Sequence, residues 1–142
     1  MSTLDPERNR TDAKRVSTAT LAFVGDAVYG LLVRERLSAV EAPVGKLHEA
    51  SAGMVCSLAQ SEAYDRLCGL LTDDELAVLK RGRNMNSNHV PKNADTLNYR
   101  RATGVEALFG YLYLSGENGR IRMLFDAIWD GADIPVKTGE QQ

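Results

Sequence analysis

The stretch TLAFVGDAVYGLLV, residues 20–33, is apolar or small throughout except for one acid, Asp26. Such a run must be covered on most sides. An unpaired carboxylate in an apolar interior costs several kcal/mol or shifts its pKa until it is neutral. The fold therefore has to set a partner, a cation or a water-filled cleft against Asp26. On a helical wheel Leu21, Val24, Ala27, Val28, Leu31 and Leu32 form one apolar stripe. Asp26 falls opposite that stripe, among Ala22, Tyr29, Gly30, Val33 and Leu37, which places it in a cleft or an interface.

The rest of the chain repeats apolar residues at three and four, with no convincing period of two, so the expected fold is all-α. A first helix is expected over 17–38. A second covers 44–68, opened by Pro43, with Leu47, Ala50, Met54 and Leu58 on one face. A third starts at TDDE, where Thr72 and Glu75 have capping-box spacing, and ends near Gly82. A fourth runs from Asp95 to Leu114 and closes at SGENG, and a fifth packs through Ile121, Leu124, Phe125 and Ile128. The 142 residues suit one domain over 15–131, between a flexible segment at 1–14 and a flexible tail at 132–142. With a polar start and no apolar run near the roughly 20 residues that span a bilayer, the expected location is cytoplasmic, with no membrane partner. Cys56 and Cys68 lack CxxC spacing and are expected as buried thiols, not a disulfide or a zinc site.

A second acid repeats the first. In ATGVEALFGYLYL, Glu106 is the lone acid of an apolar run. Asp26 is followed by Gly30 and Glu106 by Gly110, each four residues on, which leaves both carboxylates open to a backbone, a metal or a substrate. Two such acids suit a divalent cation such as Mg²⁺, but taken alone they more often cap a neighbouring helix or pair with an internal arginine. The net charge of −2 excludes a uniformly basic coat. Residues 80–101, however, hold Lys80, Arg81, Arg83, Lys92, Arg100 and Arg101 against Asp95 alone, and form either a polyanion contact or a solvated loop.

Several motifs in the same order resemble the ribonuclease III family. LAFVGDAVYGLLVRERL resembles its signature helix and VEALFGYLYLSG its second catalytic helix, while LKRGRNMNSNHVPKNADTLNYRRATG resembles the connecting segment of its short bacterial branch, Mini-ribonuclease III. The resemblance spans roughly residues 17–130 and implies the helical, dimeric endonuclease-domain fold. It makes Asp26 and Glu106 the catalytic and metal-holding acids. Where full-length ribonuclease III has two supporting acids, this chain has Ala22 and Thr103, as the Mini branch does, so fewer ligands remain per metal. Nothing beyond residue 131 could form the usual double-stranded RNA-binding domain.

The function implied is a Mg²⁺-dependent endoribonuclease that cuts double-stranded RNA to 5′-phosphate ends, maturing the large-subunit (23S) ribosomal RNA precursor, with a ribosomal protein on the substrate as a possible assistant. A duplex has two strands, so a homodimer with one site per subunit is expected, with Phe23 either at the dimer contact or in the core. Without an added domain the catalytic module must grip RNA phosphates itself, and Arg81, Arg83, Asn84, Lys92 and Arg100 are the expected contacts. Of Arg100 and Arg101, one is expected to face RNA. His48 and His89 are expected to be non-catalytic, and Tyr99 and Tyr111 are expected to pack in the core, with stacking or hydrogen-bond donation as the alternative. The alternative is a non-catalytic protein of the same fold that binds structured RNA.

Overall fold

The computed structural model describes residues 10–85 and 95–132. Among these, every regular element is helical: a 3-10 helix, Arg10–Arg15, then α1 (Thr18–Leu37), α2 (Val44–Val55), α3 (Ser57–Leu67), α4 (Asp73–Asn84), α5 (Thr96–Leu114) and α6 (Asn118–Gly131). The all-α expectation holds. Helix α5 is the hub, packed against α1, α3, α4, α6 and the 3-10 helix.

Local chemistry sets most boundaries as expected. Ser17 caps α1 through Thr20 N, Asp95 caps α5 through Asn98 N, and Thr72 with Glu75 forms the anticipated capping box on α4. Helix α5 stops in a Schellman turn, in which Gly116, at φ 73°, lets its own N–H and that of Glu117 return to the carbonyls of Tyr113 and Leu112.

Four expectations about elements need correction. The single helix over 44–68 is two, because Cys56 is extended (φ −68°, ψ 161°) and caps α3 by accepting from Gln60 N. The preceding turn is weakened by Gly53, whose carbonyl instead accepts from Cys56 Sγ. The break turns Leu58 outward, leaving it 56% exposed. Both thiols are exposed, since Cys56 lies at this corner and Cys68 just past the end of α3. Gly82 does not end α4, which continues to Asn84 because Gly82 is buried where α4 crosses α5. Finally, residues 10–15 lie partly in the segment expected to be flexible, yet Ala13 there is buried.

Two glycine crossings fix the hub. A Cβ on Gly25 would overlap the carbonyl of Glu106, and one on Gly110 would overlap the carbonyl of Leu21, so α1 and α5 touch backbone to backbone. A Cβ on Gly82 would lie 2.7 Å from Gly104 Cα, and one on Gly104 would lie 2.7 Å from Leu79 O. Around the first crossing Tyr29, Phe109 and Phe125 meet edge to face, with centroids 5.4, 5.5 and 6.4 Å apart. Arg36 lies over Phe125 and Trp129 and bonds Asp126, tying the end of α1 to α6.

Candidate active site

The α1–α5 crossing decides where the two acids go. Gly25 meets the backbone of Glu106 itself, so the next residue, Asp26, stands beside the Glu106 side chain. The two carboxylates come within hydrogen-bonding reach of each other. The partner demanded by Asp26 is thus a second acid.

Asp26 is exposed, not enclosed. The expected apolar stripe is buried only in part, at Leu21, Val28 and Leu32, and the side opposite it is covered as well. Ala22, Tyr29, Gly30, Val33 and Leu37 are buried against the crossing helices, while Ala27 and Leu31 face outward, Leu31 at 56% exposure. The helix is apolar all round, so hydrophobicity alone could not choose its inner face; the glycine at position 25 does.

Glu106 is half-buried, and its pKa is pushed up to about 8. Burial is the largest cause, followed by the hydrogen bond and negative charge of Asp26. The polar side chain of Gln60, on α3, opposes both by favouring the ionised form. Sequence reasoning did not single out Gln60. It could not be placed while α2 and α3 were read as one helix, although Gly53 ahead of Cys56 signalled a break. Tyr29, buried behind the pair, has its phenol pKa raised by burial, while Arg66 lowers it and the charge of Glu106 adds to the rise.

The glycines four residues after the acids differ in use. Gly110 admits the α1 backbone, whereas a Cβ on Gly30 would meet only the flexible end of Arg34, at 3.1 Å. Ala22 and Thr103 are packed rather than open. Thr103 is buried and its hydroxyl donates to Tyr99 O at 3.0 Å. Among the described residues no group of three or more His, Cys, Asp or Glu side chains could hold a metal ion. Two carboxylates remain, and they suit Mg²⁺, which commonly takes one or two protein carboxylates and completes its shell with water and substrate phosphate.

The basic residues do not form one cluster. Arg81 is exposed and lines a cleft with Lys14, Asp74 and Tyr111. Arg83 is half-buried near Gly104 and donates to the Tyr64 hydroxyl at 2.9 Å and to Asn84 Oδ1 at 3.0 Å. Asn84 and Arg100 are exposed; Arg101 instead lies over the Tyr64 ring and 3.6 Å from Asp65. Lys92 and His89 lie outside the described residues. His48 is exposed on α2, and Tyr99 and Tyr111 are half-buried. Phe23, expected either in the core or at a dimer contact, is 80% exposed and so not in the core of this chain.

Comparison with known proteins matches the Ribonuclease III domain over residues 19–117. The chain is similar to the Mini-ribonuclease 3 of a Thermoanaerobacter species, at 44% identity over 78% of this chain and 79% of that one. It is similar to the Mini-ribonuclease 3 of Brevibacillus brevis at 42% identity, over 83% and 89%. A crystal structure of a Fusobacterium nucleatum protein superposes with a TM-score of 0.76 at 25% identity, over 84% of this chain and 97% of that one.

Proposed function

The chain belongs to the ribonuclease III family and is an endoribonuclease, and from that premise we propose that Asp26 and Glu106 hold a Mg²⁺ ion at which double-stranded RNA is cut. The observation that carries this reading is the pairing of two carboxylates across the α1–α5 crossing, one exposed and one half-buried. Like charges at that distance repel, and a divalent cation between them removes the penalty. When bound, the ion supplies an activated water and offsets negative charge on the scissile phosphate. Asp26, on the open side, meets the incoming strand, while the backbone of Glu106 is held against the crossing.

Exposed Arg81, Asn84 and Arg100, together with Lys92 and the remaining donors of Arg83, contact phosphates and 2′-hydroxyls of an A-form duplex. The biological substrate is the 23S ribosomal RNA precursor, with a ribosomal protein on it as a candidate assistant. The enzyme works as a homodimer, one site per strand. Phe23, Ala27 and Leu31 are spaced four apart on the outer face of α1, an exposed apolar row of the kind a second subunit covers.

The test is cleavage of a long RNA duplex with and without Mg²⁺. Asp26→Asn and Glu106→Gln keep shape and lose the charge that holds the cation. Each should fold and bind duplex while cutting at least about a thousandfold more slowly, the several kcal/mol a metal ion contributes. Wild-type rates in either purified variant would overturn the assignment.

A further inference from the structure

Gln60 is 2% exposed, and its Nε2 is fully buried with no hydrogen bond of ordinary geometry. A buried amide donor without a partner is costly, of order 1–3 kcal/mol, and is rare enough in folded proteins to need a reason. Its surroundings give one. Gln60 lies on α3, which packs on α5, and its side chain is close enough to the Glu106 carboxylate to favour its ionised form. Its Nε2 nonetheless closes no bond of ordinary geometry.

We propose that Gln60 is a positioning residue: its amide N–H docks on Glu106 when a divalent cation draws that carboxylate into place, fixing which Glu106 oxygen faces the ion. This rests on the reading that Asp26 and Glu106 hold the metal. Contacts at active sites are often long before the ligand arrives and tighten with it. Outer partners of this kind orient ligating carboxylates in metal sites generally. A neutral amide suits the place. A lysine or arginine would neutralise the acid pair and compete with the cation, and a third carboxylate would add repulsion, whereas an amide orients an oxygen without changing the charge.

On α3, which starts at Ser57 with Gln60 N donating to Cys56 O at 3.0 Å, Gln60 and Tyr64 sit one turn apart. Tyr64 receives Arg83 at 2.9 Å, so one helix carries both the brace for the metal-side acid and the anchor of a basic residue.

The experiment compares wild type, Gln60→Met and Glu106→Gln, full-length and without RNA, by titrating Mn²⁺, an oxygen-preferring probe for Mg²⁺, and reading free Mn²⁺ by electron paramagnetic resonance. Methionine conserves volume and removes the donor, so a residue that merely packs would tolerate it. The expected result is Mn²⁺ affinity weaker by about tenfold or more in Gln60→Met, with duplex affinity in metal-free buffer unchanged. A change below about twofold would overturn the proposal. If Gln60→Met fails to fold, the wild-type side-chain amide resonances of Gln60 decide. They should move during a Mg²⁺ titration and stay still in Glu106→Gln; no movement in wild type overturns the proposal. If Glu106→Gln loses Mn²⁺ and Gln60→Met does not, only Gln60's role falls. If Glu106→Gln binds Mn²⁺ like wild type, the metal reading falls and this proposal with it.

Discussion

Glu75 and Glu106 are carboxylates whose surroundings push them in opposite directions. Burial alone would raise the pKa of Glu75, but Arg120, donating from Nε and Nη2 at 2.8 Å each, and the N–H of Thr72 outweigh it and hold the pKa below its ordinary value. A lowered folded pKa adds stability that is present above the unfolded pKa, about 4.3, and is lost as pH falls through the folded one. Urea unfolding of Glu75→Gln should therefore show a shallower loss on the acid side than wild type. Arg120→Ala, which leaves Glu75 buried and unpaired, should cost about 3 kcal/mol at neutral pH. For Glu106 the sign reverses. Its raised pKa means stability that is full below the unfolded value and is lost as pH rises through about 8. In chelator, wild type should thus weaken between mildly acidic and alkaline pH. Asp26→Asn removes the neighbouring negative charge that contributes to the shift, so at alkaline pH it should unfold at higher urea than wild type while failing to cut RNA. A lower midpoint would show that Asp26 has a structural role beyond the pair.

At the scale of helices, glycines decide more than hydrophobic residues do. Gly25→Ala and Gly110→Ala press a methyl into a facing backbone carbonyl and should each destabilise by about 3 kcal/mol or more, read by urea unfolding. Gly119, in the first turn of α6, has open space where its Cβ would go, so Gly119→Ala should stabilise by roughly 0.5–1 kcal/mol. The contrast explains what the sequence could disclose. Periodicity and caps marked five helical segments, because they depend on neighbours three and four residues away. The motifs singled out both acids, because a lone acid in an apolar run is a local anomaly. The inner face of α1 was not legible, since its apolar residues surround the helix and only contact with α5 selects a side. Nor was the division at Cys56, where weak local preferences yield to packing, and Gln60 went unnoticed with it. Gly82 resembled a helix stop because glycine serves both as a stop and as a crossing point, and sequence alone cannot separate the two.

At the scale of the whole molecule, the outer row of α1 and the scattered basic residues make separate predictions. Phe23→Glu places a charge in the row with Ala27 and Leu31 and should shift sedimentation toward monomer, with loss of paired cuts on the two strands. An unchanged sedimentation coefficient would mean that no second subunit covers this row. Arg81→Ala and Arg100→Ala should each reduce the salt slope of duplex binding by about one, the share of one phosphate contact. Arg83→Ala should also lower stability, because its guanidinium holds the Tyr64 hydroxyl. The backbone contact between Gly25 and Glu106 carries a consequence for temperature. Side chains in a warming core hop among rotamers and loosen their spacing by degrees, but peptide groups in direct contact have no rotamers to explore. The spacing of the two helix backbones at this crossing should therefore behave as a rigid ruler, holding until the chain unfolds as a whole.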